Sequence, residues 1–210
     1  MDRSKLKAIL CDLDGVIRIH PNIAGSIEQK YGLPTGSIFS TAFEPGLLKQ
    51  AITGKISDIQ WRQAIFKNLS KKFPKQDTKS ALESWYEPSS YVDIEALNYI
   101  LSISPNALLV LVTNATSRLK EDLRALSIID KFDIIVNSSQ IGFIKPDTEI
   151  FSHSLELAKC KPEDALFIDD KIENTDAAAK FGLFAHHYTS LVNLKSYISV
   201  NAAKYPTSSN

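Results

Sequence analysis

The chain has 210 residues, 44% hydrophobic and 23% charged, which suits one globular domain with a full-sized core, or one domain plus a small insertion. Its 24 basic and 24 acidic side chains cancel, which excludes a global field drawing it to nucleic acid or to an anionic membrane surface. Cys11 and Cys160 make no disulfide framework, no run approaches the ~20 apolar residues of a membrane span, and the N-terminal stretch lacks a signal-peptide core, so the expected setting is a reducing cytoplasm.

The first predicted element is a short apolar run, Ala8 to Cys11, read as a buried strand with Cys11 as a small core hydrophobe. It stops at Asp12 and Asp14, two carboxylates spaced i, i+2, followed by Gly15. On an extended backbone such residues face the same side, just beyond the carboxyl end of the strand where open α/β sheets bind ligands. Two like charges held close are costly unless a cation lies between them or one is protonated. The pair therefore reads as a metal or acid/base site, or else as a strand end with two solvated aspartates.

From about Pro21 to Pro88 the strand signal disappears and apolar residues recur at helical spacing. Helices are predicted over 22–31, stopped by Gly32, then over 36–43 and 46–52. Ser57-Asp58-Ile59-Gln60 has the form of a capping box opening the longest helix, 58 to about 73, with Ile59, Ala64, Ile65, Phe66 and Leu69 as its apolar stripe. A further short helix spans 79–85. Phe39, Phe43, Trp61, Arg62, Phe66, Trp85 and Tyr86 could roof a pocket, although at this spacing the aromatics read first as the block's own core.

The pattern then alternates. A helix over 92–102 precedes a buried strand, Ala107 to Val112, that ends in Thr113-Asn114. An amphipathic helix over 117–129 presents Leu119, Leu123, Leu126 and Ile129 on one side, and Phe132 to Val136 forms the next strand, with 137–140 as a loop. Pro146-Asp147 opens a helix to about Cys160, with Asp147 as its cap, and strand 165–168 stops at Asp169-Asp170. A helix over 174–181 closed by Gly182, a strand over 183–186 and a helix over 191–198 complete the pattern, with fraying expected from about Asn201. Strands alternating with helices imply a parallel sheet covered on both faces, here interrupted by the all-helical block. The boundaries that follow are a core of 1–17 and 89–210 and a helical unit of 18–88.

Strand ends on one edge of a parallel sheet share a crevice. Asp12, Asp14, Asp169 and Asp170 would meet there with Thr113, Asn114 and Lys145, the last just ahead of a helix start. Acids around a divalent cation, with a lysine and a hydroxyl gripping an anion, suit a phosphoryl group with Mg²⁺. Thr113 could instead cap a helix and Lys145 could be a solvated loop lysine; His186 and His187 read as core or surface residues rather than catalysts.

These four segments, Asp12-Leu13-Asp14-Gly15-Val16, Thr113-Asn114, Lys145-Pro146-Asp147 and Phe167-Ile168-Asp169-Asp170, occur in the order of the motifs of the haloacid dehalogenase-like (HAD) hydrolase superfamily, which the chain resembles over nearly its whole length. The resemblance implies a Rossmann-like core with an inserted helical cap and a Mg²⁺-dependent phosphatase acting on a small phosphorylated metabolite. It implies Asp12 as nucleophile forming an aspartyl-phosphate and Asp14 as general acid and base. Thr113 and the Asn114 backbone would bind phosphoryl oxygens, and Lys145 would hold the phosphate and offset the charge of Asp12. The metal would be held among Asp12, Asp14 (through its backbone carbonyl), Asp169 and Asp170, with Asp170 the preferred direct ligand of the last pair. Val16 stands where threonine is frequent in the family, and Asn174 where many relatives carry another aspartate. His20, just past the first motif on the connection into the cap, could approach the substrate but reads first as a residue that does not. A phosphomutase would keep every motif, a metal-free dehalogenase would need neither Asp14 nor the Asp169-Asp170 pair, and a non-catalytic binding protein would be expected to lack one of the acids or Lys145.

Overall fold

The computed structural model describes residues 6–201, so the fraying expected beyond Asn201 lies outside the described residues. Strand β1 (Ala8–Cys11) is followed by a two-residue strand β2 (Arg18–Ile19). Five helices come next: α1 (Ala24–Lys30), α2 (Ser37–Ala42), α3 (Pro45–Ile52), α4 (Asp58–Lys72) and α5 (Thr78–Tyr86). The chain returns through β3 (Tyr91–Val92) and α6 (Ile94–Ile103) to β4 (Leu108–Thr113) and α7 (Leu119–Ala125). Then follow β5 (Ile134–Asn137), α8 (Ser138–Ile141), α9 (Thr148–Ala158), β6 (Ala165–Asp169), α10 (Ile172–Phe181), β7 (Phe184–His187) and α11 (Leu191–Val200).

Five strands form one parallel sheet in the order β5-β4-β1-β6-β7. Both faces are covered, because successive strand side chains point to opposite sides. In β1, Ile9 and Cys11 join the cluster under α6, α7 and α11, while Ala8 and Leu10 join the one under α9 and α10. The chain winds from β1 towards β4 and β5 and later resumes on the other side of β1 with β6. The topological switch point, where such sheets bind ligands, therefore lies at the carboxyl ends of β1 and β6.

Helices α1 to α5 pack round a third cluster that includes Ile38, Trp61, Ile65, Leu69 and Leu82. The capping box at Ser57 and Gln60 forms as predicted. The apolar stripe of α4 does not: Trp61, Ile65 and Leu69 are buried, Ala64 is half-buried, and Ile59 and Phe66 face solvent. Spacing of four from Trp61 beats the more hydrophobic-looking neighbours, since only one face of the helix meets the block. The predicted helix over 117–129 ends at Ala125, with Ser127 at φ +57°. The antiparallel pair β2–β3 and helix α8 were not predicted, because two-residue strands and a single mostly polar turn of helix offer neither a period nor an apolar run. Among the described residues no helix is long and apolar enough to cross a membrane.

The block also touches the core beyond its connectors. Asp58, at the start of α4, accepts from Thr116 Oγ1 at 2.8 Å, and its amide donates to Ser117 Oγ at 2.9 Å.

Candidate active site

Register brings the acids together. Cys11 pairs with Ile168, so Asp12, the first residue beyond β1, lies beside Asp169, the last residue of β6, and the Asp12 amide donates to Ile168 O at 2.9 Å. Lys145, from the loop before α9, enters between them, its Nζ 2.7 Å from Asp12 Oδ1 and 2.7 Å from Asp169 Oδ2. Only 3% of Lys145 is exposed, which excludes a solvated loop lysine. Its loop is held by Asn114, whose Oδ1 accepts from Lys145 N at 2.8 Å and whose Nδ2 donates to Lys145 O at 2.9 Å. This strut is a use of the Asn114 side chain that sequence reasoning missed. Thr113, at the end of β4, is buried and lines the cavity; the next helix begins at Leu119 and Thr113 caps nothing. Asp147 precedes α9 but does not cap it, because its carboxylate turns back to the Ile144 amide.

The neighbouring acids Asp169 and Asp170 separate into two environments. Asp169 is fully buried and held by three donors: Oδ1 accepts from Lys171 N at 2.8 Å and Asn174 Nδ2 at 2.9 Å, and Oδ2 accepts from Lys145. Among the described residues the Asp170 carboxylate meets one cation, the exposed Lys171 ammonium, at 3.0 Å. It packs against the turn after β1, where Gly15 has φ +79° and an added Cβ would lie 2.6 Å from Asp170 Oδ2. That turn needs glycine for both its backbone and its closeness.

Asp12, Asp169 and Asp170 each offer an oxygen within 4.8 Å of the others. Three carboxylates thus face one buried ammonium and one exposed one. The set is all oxygen and retains negative charge, so these residues fit a small hard cation such as Mg²⁺. The Asp14 carboxylate is not in this group. It turns to Arg18, which donates through Nε at 2.6 Å to Oδ1 and through Nη2 at 2.9 Å to Oδ2, and to His20 Nε2, 2.8 Å from Oδ1.

Burial raises the Asp12 pKa, against the pull of Lys145 and with help from the Asp169 charge. Asp14 goes the other way: burial opposes its charge, but the His20 and Arg18 hydrogen bonds and the Arg18 charge hold it well below the usual carboxylate range. Burial also works against a charged Lys145, and the carboxylates on either side outweigh it, so its pKa is raised.

Asp12, Asp14, Thr113, Asn114, Lys145 and Asp170 line one cavity of 240 Å³. Gly15, Lys171 and Asn174 complete it, and Asp169 stands behind Lys145. The volume is below the ~300–1,000 Å³ usual for drug-sized ligands, and suits a phosphoryl group better than a bulky molecule. No residue of α1 to α5 is among its walls. Trp61 is block core, donating Nε1–H to Ala42 O at 3.1 Å, and Arg62 is held by Asp58 at 2.6 Å and lies over the Tyr86 ring. Phe39 and Phe43 stack on each other at 4.3 Å and remain partly exposed. His186 is buried against Tyr197, while the exposed His187 touches the Asp170 carbonyl at 3.1 Å.

Residues 25–186 match the family model for haloacid dehalogenase-like hydrolases, more than half of the chain. The chain is 26% identical over 197 residues to bifunctional epoxide hydrolase 2 of Mus musculus, covering 85% of this chain and 35% of that protein. It spans about a third of the length of this relative and of its rat and pig counterparts. It is 24% identical over 188 residues to D-ribitol-5-phosphate phosphatase of Bacteroides thetaiotaomicron, covering 84% of this chain and 89% of that one. A HAD family enzyme of the same organism, crystallised as a magnesium complex, superposes with a TM-score of 0.70 at 21% identity, over 88% of this chain and 94% of that chain.

Proposed function

This chain belongs to the haloacid dehalogenase-like hydrolase family, and from that premise we propose that it is a Mg²⁺-dependent phosphatase of a small phosphomonoester, with Asp12 as nucleophile. The observation that carries the reading is Lys145, buried between Asp12 and Asp169, with Asp170 beside them in the wall of one small cavity. A dehalogenase on this fold would have no use for the extra acids. The magnesium complex of the structural neighbour and the phosphatase among the relatives support the same choice.

Asp12 Oδ1 is engaged by Lys145 and by the Leu13 amide at 2.7 Å, and Oδ2 accepts from no donor among the described residues. Oδ2 is therefore the attacking oxygen. It forms a bond to phosphorus as the bond to the leaving oxygen breaks, and the released electron pair takes a proton from Asp14. Asp14 then removes a proton from the water that attacks the aspartyl-phosphate, freeing inorganic phosphate and restoring Asp12. Lys145 spends two of its three N–H groups on Asp12 and Asp169, leaving one for a phosphoryl oxygen, together with the Thr113 hydroxyl and the Asn114 amide. A cation held by Asp12, Asp170 and the Asp14 carbonyl would neutralise phosphoryl charge when bound. No wall of the cavity comes from the helical block, whereas a phosphomutase would need that block to shield the aspartyl-phosphate from water, and this favours hydrolysis.

Phosphate release from p-nitrophenyl phosphate and from a panel of sugar phosphates tests this. Activity should need Mg²⁺ and fall on the order of 10⁴-fold or more in Asp12→Asn. Turnover unchanged in that variant would remove the nucleophile.

A further inference from the structure

We propose that Arg18 is a positioning residue that aims one oxygen of Asp14 at the leaving group, an inference that rests on the reading of Asp14 as general acid. Arg18 is 7% exposed, unusual for an arginine, and its guanidinium grips both Asp14 oxygens at 2.6 and 2.9 Å. Its remaining arm points to Asp122 Oδ2 at 3.4 Å, and Arg118 braces Asp122 in turn at 2.8 Å. A buried guanidinium requires such partners, and the planar fork allows Asp14 few orientations.

The backbone beneath it is equally set. The Arg18 amide donates to Leu13 O at 2.7 Å and the Gly15 amide donates to Arg18 O at 3.0 Å, closing a loop whose Leu13, Val16 and Ile17 are fully buried. Strand β3 braces the next residues, through Arg18 paired with Val92 and the Asp93 amide donating to Ile17 O at 2.8 Å.

Counting lone pairs identifies the working oxygen. A carboxylate has about four acceptor directions. The Arg18 fork takes one on each oxygen and His20 takes the second on Oδ1, so among the described residues one direction remains, on Oδ2. Asp14 lines the cavity, so this is the oxygen whose O–H passes its proton to the leaving oxygen as the P–O bond breaks. The loss of Arg18 frees the carboxylate to rotate, and the cost falls on leaving groups that need a proton.

The test is kcat/KM, which reports the steps up to departure of the leaving group, over phosphomonoesters of graded leaving-group basicity. In Arg18→Met, alkyl phosphates should lose on the order of 100-fold and p-nitrophenyl phosphate on the order of 10-fold. Arg18→Lys, a point charge without the fork, should fall between, and Asp122→Asn should repeat the graded pattern at about threefold on alkyl phosphates. If Arg18→Met does not fold, those two variants carry the test. A loss equal across the series, or none, would overturn the positioning role. An Asp14→Asn enzyme with no graded loss would overturn the parent reading of Asp14 instead, whatever Arg18 does.

Discussion

Asp12 and Asp14 are two residues apart and line the same cavity, yet they sit in opposite electrostatic settings. Asp12 is at the end of a central strand, 7% exposed, and shares a single buried ammonium with Asp169. Asp14 is in the turn, with 42% of its side chain exposed and three donors of its own. One carboxylate is under-compensated and its pKa rises; the other is over-supplied and its pKa falls. The proposed roles run against these shifts: Asp12 attacks as the anion, which a bound cation would favour, and Asp14 has to carry a proton, which its three donors oppose. In the proposed reaction, the atom short of compensation is the one that meets a cation and phosphorus.

Removing the shared cation should have the larger effect. Lys145→Met leaves Asp12 and Asp169 buried without it, a cost of about 3–5 kcal/mol. In metal-free buffer this lowers Tm by about 6–20 °C in thermal denaturation; a shift under about 2 °C would mean that Lys145 is not the residue holding the acids together.

The pH dependence of metal binding separates the two acids next. With a raised pKa in the folded, metal-free protein, Asp12 keeps a proton that the unfolded chain has already lost. Its contribution to stability is complete below the unfolded value of about 3.9 and is lost as pH rises through the folded one. Mg²⁺ binds the charged form, so stabilisation by Mg²⁺ should be greater at about pH 8 than at about pH 5.5, reaching about 2–3 kcal/mol at 100-fold excess over Kd. Equal Tm shifts at both values would place the metal away from Asp12. The smallest effect belongs to the exposed side. His20→Ala removes one half-exposed partner of Asp14 and should cost under about 1 kcal/mol by chemical denaturation.

Much of this site was legible before the fold. The polar residues that interrupt apolar strands, Asp12, Thr113 and Asp169, do lie on one sheet edge, since a strand buried on both faces leaves polar groups only its ends. Lys145 announced itself less by its own position than by the company of those ends. The role of the Asn114 side chain was hidden, because nothing local marks an amide that will pair with a backbone 31 residues away. Arg18 was equally silent in sequence: its burial comes from Asp122, 104 residues on, and from a two-residue strand without a period. In α4, hydrophobicity chose Ile59 and Phe66, and packing chose Trp61.

The order of apolar runs and their polar ends sufficed to determine a parallel sheet, an inserted helical block and the acids at its edge, because burial and periodicity act along the chain itself. Only the tertiary structure decided which two acids share Lys145, which one also gathers two further donors and which is clamped by Arg18. Those choices depend on register between strands far apart in sequence, and a hydrogen bond is made or lost over less than an ångström.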